Sequence, residues 1–129
     1  MTVIKTFKRT ALKKGGVYRK SDLIEDLNGF ENMASTYYDP ARSNELYTFF
    51  NQESKDWKNV YYPQPNELHY RHRREPKLTR CNKWELPMER HIFLREKGMK
   101  GGDFKYLGAV KGENIKVINS FEVRIMALH

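Results

Sequence analysis

The sequence predicts an α+β domain of short strands, barrel-like in architecture, with one or two short helices. Three observations carry that prediction. Runs of aromatic and β-branched residues follow one another, separated by Gly or Pro. One early segment has a clear helix-start signal. The regular alternation of helix and strand that a doubly wound parallel sheet needs is missing. At 129 residues the chain fits one domain, 1–129, around one core.

The chain opens with alternating Val3, Ile4 and Phe7. From Lys5 to Lys20 it then carries Lys5, Lys8, Arg9, Lys13, Lys14, Arg19 and Lys20 and no acid. Gly15-Gly16 breaks this stretch with a turn. Ser21 is a good N-cap, Glu25 and Asp26 lie near the first turn, and Leu23, Ile24 and Leu27 give an apolar face. With Asn28-Gly29 as the stop, this spacing predicts about two helical turns. Tyr37-Tyr38-Asp39-Pro40 reads as a turn or loop.

Strand patterns take over at Glu45–Phe50, then Trp57–Tyr62 and Glu67–His72, the last two separated by Pro63 and Pro65. A polar stretch around Pro76 to Lys83 leads to His91–Arg95. Gly98, Gly101 and Gly102 form a loop before Phe104–Val110. Gly112-Glu113-Asn114 turns into Ile115–Ile118, and Phe121–Leu128 closes with clean alternation.

Lys and Arg number 24 against 16 acids, a net charge of +8. A field of that sign favours polyanions over neutral or acidic small molecules. Eight Tyr, seven Phe and two Trp set the chain apart from a disordered basic tail. The lone Cys81 excludes an internal disulfide framework and suits a reducing compartment. No apolar run reaches the length of a membrane span and the start has no signal-peptide core, so the expected location is cytoplasmic, with no membrane partner.

The densest functional signal is His69 to Arg80, in which Tyr70, Arg71, His72, Arg73, Arg74, Lys77 and Arg80 surround one acid, Glu75. Phosphate contacts need long cations, and Arg adds bidentate pairing. In a strand, Tyr70, His72 and Arg74 take one face and His69, Arg71 and Arg73 the other, so one set alone can lie along a DNA backbone. A solvated, charge-protected edge strand is the plainer alternative. Arg71, Arg73, Arg74, Lys77 and Arg80 are therefore expected to hold phosphates. Lys13, Lys14, Arg19 and Lys20 form a second basic strip. Tyr61, Tyr62, Tyr70 and Trp84 are candidates for stacking on bases or lining a pocket, although core packing is the better assignment for any single aromatic.

His69, His72, Cys81 and His91 match no zinc spacing, so no metal or other cofactor is expected. Asp39, Glu45, Asp103, Glu113 and Glu122 are scattered and show no nuclease signature. The chain is expected to bind and not to catalyse.

Three segments carry a family resemblance. Tyr18-Arg19-Lys20-Ser21-Asp22-Leu23-Ile24 resembles an aromatic–basic–acid–aliphatic helix start. Leu68 to Arg74 resembles an aromatic-and-basic strand, with His69 in place of a Trp. Ile92-Phe93-Leu94-Arg95 with Asp103 to Val110 resembles a strand pair ending in Tyr-Leu-Gly. Together they are similar to an uncharacterised domain at the C-terminus of bacterial helicases that also carry a phospholipase-D-type nuclease, in restriction and phage-defence systems. The Tyr-Leu-Gly hairpin also looks like PUA-like barrels, which include SRA-type readers of modified bases. The resemblance runs from about residue 17 to 111. It implies a pseudobarrel that recognises double-stranded DNA, with a modified base as the candidate target. RNA binding, an acidic protein partner and an unrecognised nuclease are the competing readings.

Overall fold

The computed structural model describes residues 3–4, 12–27, 31–33, 36–38, 45–52, 57–72, 89–118, 122–126 and 128–129. In chain order the elements are β1 (Val3–Ile4), β2 (Val17–Arg19), α1 (Lys20–Leu27), β3 (Glu31–Met33) and β4 (Thr36–Tyr38). They continue with β5 (Glu45–Asn51), β6 (Trp57–Tyr62), β7 (Glu67–His72), β8 (Glu89–Arg95) and β9 (Asp103–Val110). A 3₁₀ turn (Gly112–Asn114), β10 (Ile115–Val117) and β11 (Glu122–Ile125) complete them.

Leu46–Phe50 and Arg90–Leu94 are unbroken buried runs, the pattern of strands covered on both faces. These two strands, β5 and β8, pair in parallel from Glu45 opposite Glu89 to Asn51 opposite Arg95. Around them lies a seven-stranded sheet in the order β1-β2-β9-β8-β5-β4-β3, and a separate four-stranded sheet runs β10-β11-β7-β6. The predicted strand-rich architecture with one short helix is present, built as two sheets that do not close into one continuous barrel. Among the described residues no helix is long and apolar enough to cross a membrane.

Period-two alternation sorts the side chains of β5 and β8 onto two cores. One face carries Phe50, Ile92 and Leu94 against Leu68, Tyr70, Val123 and Ile125 of the second sheet. The other carries Tyr47, Phe49 and Phe93 against Phe104, Tyr106, Tyr18 and Leu23 of α1. Phe49 and Phe93 stack with ring centroids 4.7 Å apart, and Phe104 meets Phe49 edge-on at 5.2 Å. Each such side chain, taken from water into these layers, stabilises the fold by about 1.5–3 kcal/mol.

Two local expectations need correction. The helix begins at Lys20, so Ser21 lies within its first turn and does not cap it. The chain passes directly from β2 into α1, and the Lys20 amide donates to the Gly102 carbonyl at 2.7 Å, which fixes the start two residues before the Asp22 that a Ser21 cap implies. Tyr37 and Tyr38 are strand and not turn: they pair with Tyr47 and Leu46 of β5. The backbone of β5 supplies a ladder partner there, and tyrosine suits a strand.

Candidate nucleic-acid interface

β8 and β9 are joined at one end of the seven-stranded sheet by the 96–102 loop. Two turns shape it, closed by Met99 N–H to Glu96 O and Asp103 N–H to Lys100 O, each 3.1 Å. Gly102 sits at φ +90°, a left-handed conformation that a side chain resists, and its carbonyl is the one that anchors α1. On one side of the loop a cleft of about 430 Å³ is lined by Val17, Arg19, Lys97, Met99, Lys100 and Asp103. On the other, a cleft of about 510 Å³ is lined by Asn51, Gln52, Arg95 and the same loop.

The loop end is cationic. Arg19, Arg95, Lys97, Lys100 and Lys105 outnumber the carboxylates Glu96 and Asp103, and both acids are engaged. Lys105 Nζ lies 3.1 Å from Glu96, and Arg19 Nε lies 3.6 Å from Asp103. Lys97 and Lys100 are exposed, with no ion pair among the described residues. Gln52 ties this loop to the second sheet: its amide donates to Arg95 O at 2.9 Å, its Oε1 accepts from the Lys97 amide at 2.6 Å, and its carbonyl accepts from the Asn59 amide at 2.7 Å.

Of the residues predicted from sequence, Arg19 and Lys20 reach this end of the fold. Arg19 faces the cleft. Lys20 turns its ammonium over the rings of Phe49 and Phe104, 5.2 and 6.0 Å from their centroids, a cation–π arrangement. Lys13 and Lys14 stand further along β9, because the Gly15 amide bonds Tyr106 O at 2.7 Å. Lys14 Nζ donates to the Leu128 carbonyl. Arg71 lies elsewhere, on the outer face of the four-stranded sheet. Arg73, Arg74, Lys77, Arg80 and Trp84 lie outside the described residues.

The three described tyrosine candidates separate. Tyr70 faces inward, 8% exposed, with its ring 5.4 Å from that of Phe50, and it fills the inter-sheet core. Tyr61 is half-buried and donates to Asn66 Oδ1 at 2.6 Å. Tyr62 is 42% exposed and tilted against His69. Sequence reading missed Arg95, Lys97 and Lys100. Glycine spacing had marked a loop there, yet no dense basic run drew attention to it.

A polar cluster lies on the side of the large sheet that carries the α1-facing core. His91 Nδ1 is 2.8 Å from the Tyr106 hydroxyl, and its ring stacks on Tyr47 at 4.7 Å. Tyr47 in turn donates to Glu45 Oε2 at 2.8 Å. His91 Nε2 is 3.7 Å from Glu45 Oε1, too far for a hydrogen bond. Burial pushes the imidazole below its ordinary value despite the nearby Glu45 and Glu89, and burial likewise raises the Tyr106 phenol. The ring is therefore neutral near pH 7. No group of three or more metal-ligating side chains comes together among the described residues.

Two solved structures share this fold. The 5-hydroxymethylcytosine-specific restriction enzyme AbaSI superposes at TM-score 0.58 and 17% identity, over 88% of this chain and 39% of its own. The DNA recognition domain of the cytosine modification-dependent restriction endonuclease LpnPI superposes at TM-score 0.56 and 13% identity, over 88% and 71%. No family model and no curated protein matches the chain. The chain thus spans well under half of the AbaSI polypeptide.

Proposed function

We propose that this chain is a DNA-binding target-recognition module, of the kind used by restriction or phage-defence proteins, which acts by binding and not by catalysis. The observation that carries this reading is the cationic loop end, with Lys97, Lys100, Arg95 and Arg19 grouped around two clefts on a fold shared with DNA recognition domains. Long cations flanking a groove neutralise phosphates and release counterions, which supplies affinity without sequence preference.

Selectivity belongs to the cleft beside β2. Asp103 and Glu96 line it. Beyond the single ion-pair contact each makes with Arg19 or Lys105, a carboxylate keeps further lone pairs, which accept hydrogen bonds from the cytosine amino group. That chemistry suits a cytosine, modified or not, drawn out of the stack. The test is duplex binding in a salt titration, with unmodified, 5-methyl- and 5-hydroxymethylcytosine duplexes and methylated adenine compared. Tighter binding to one modified duplex that persists at high salt supports a base reader. Equal, steeply salt-dependent binding reduces the module to backbone tracking. A flat salt dependence, or stronger binding to structured RNA, overturns the reading.

A further inference from the structure

The outer face of the four-stranded sheet carries a charge arrangement that the loop end does not explain. Register places Lys58 opposite Arg71, Arg71 opposite Glu122, and Arg124 opposite Lys116. These side chains therefore share the solvent face across β6, β7, β11 and β10, while Asn59, Tyr70 and Val123 point inward.

The acid in the middle is sunk and the cations are not. The Glu122 side chain is 8% exposed, against 67% for Arg71 and 44% for Arg124. Arg71 donates to Glu122 Oε1 from Nη2 at 2.6 Å and from Nε at 3.2 Å, and Arg124 Nε donates to Oε2 at 3.0 Å. One carboxylate thus holds both guanidiniums by their inner edges. Each arginine has five N–H donors, and those not spent on Glu122 remain at the surface. Lys58 and Lys116 flank the pair, both exposed and without an ion pair among the described residues.

We propose that this face is a second duplex-DNA surface, separate from the 96–102 loop, in which Lys58 with Arg71 and Lys116 with Arg124 grip phosphates. Strands lie about 4.8 Å apart, so β6 to β10 spans about 14 Å. The two cation pairs are centred two strand spacings, about 10 Å, apart, with Lys58 and Lys116 at the outer edges. They therefore bracket the roughly 12 Å width of the B-DNA major groove, and each faces one of the two phosphate rails that border it. The proposal rests on the DNA-binding reading above and extends it from one contact region to two.

The experiment measures the salt dependence of duplex binding for the full chain, for Lys58→Ala/Lys116→Ala, for Arg124→Gln, and for Lys97→Ala/Lys100→Ala at the loop. Each lost phosphate contact should flatten the log–log slope by about 0.9. The expected result is a loss of about 1.8 for the outer-face lysine pair and about 0.9 for Arg124→Gln. The lysine pair supports no ion pair among the described residues, so it keeps the test valid if Arg124→Gln unfolds. Unchanged slopes for the outer-face variants, with a flattened slope for the loop variant, overturn the second surface alone. No duplex binding by the unaltered chain overturns both readings. Unchanged duplex binding with weakened binding of polyglutamate by the outer-face variants assigns the face to an acidic protein and also overturns the proposal.

Discussion

The Tyr106 hydroxyl lies 2.8 Å from Nδ1 of a histidine, His91, that is 7% exposed. A neutral ring accepts at Nδ1 from the phenol and turns Nε2–H toward Glu45. A protonated ring would carry a buried charge with Glu45 only at 3.7 Å.

That geometry sets a pH limb. The folded-state value of His91 is depressed by burial, so below the ordinary imidazole value of about 6.5 the unfolded chain takes up a proton that the folded chain refuses. Stability should fall as pH drops below about 6.5, until the folded-state value is reached. Thermal unfolding from pH 7.5 to 5 should show the decline, and His91→Gln should flatten it.

Glu122 governs a second limb, at lower pH. The Arg71 hydrogen bond, helped by Arg124, holds its carboxyl below the usual glutamate range. Its contribution is present above that range and is lost as pH falls through the depressed folded-state value. Glu122→Gln should remove this part of the acid transition and leave the histidine limb in place, as pH-jump fluorescence or circular dichroism would register.

Two tyrosines should trade effects. Tyr70→Ala leaves a hole in the inter-sheet core and should destabilise by about 3–5 kcal/mol in denaturant titration, by analogy with other large aromatic truncations. Tyr62→Ala, on an exposed ring, should stay within about 0.5 kcal/mol.

Gly108 should tolerate no side chain. It sits at φ +123°, and a Cβ there would come within 3.0 Å of the His129 carbonyl oxygen. Gly108→Ala should therefore lower the melting temperature by several degrees, at a cost on the order of 1–3 kcal/mol. Gly101→Ala, whose Cβ would meet nothing closer than Arg95 Nη1 at 3.5 Å, should be nearly silent.

Strands β5 through β9 were legible because their aromatic and aliphatic runs are long and bounded by Gly or Pro. Which of Tyr61 and Tyr62 faces solvent was not legible, since alternation separates the two rings without saying which side is covered. What stayed hidden is tertiary. Nothing local says that β5 and β8 pair in parallel across some forty residues, or that β2 would feed α1 two residues early through a bond to Gly102. The loop cations Arg95, Lys97 and Lys100 escaped notice because charges spaced along a hairpin converge only when the strands are joined. Arg71, by contrast, was found from a dense run, yet its sheet face separates it from Arg19.

Gln52 gives these separate regions a common mechanical fate. Its side chain holds the 96–102 loop, its amide holds the end of β8, and its carbonyl holds β6 beside Lys58. A ligand that draws the loop toward itself must carry β6 along or break these bonds. On the proposed binding role, occupancy at the cleft would then be felt in the sheet behind it, and the two proposed surfaces would move together as one stiff lever.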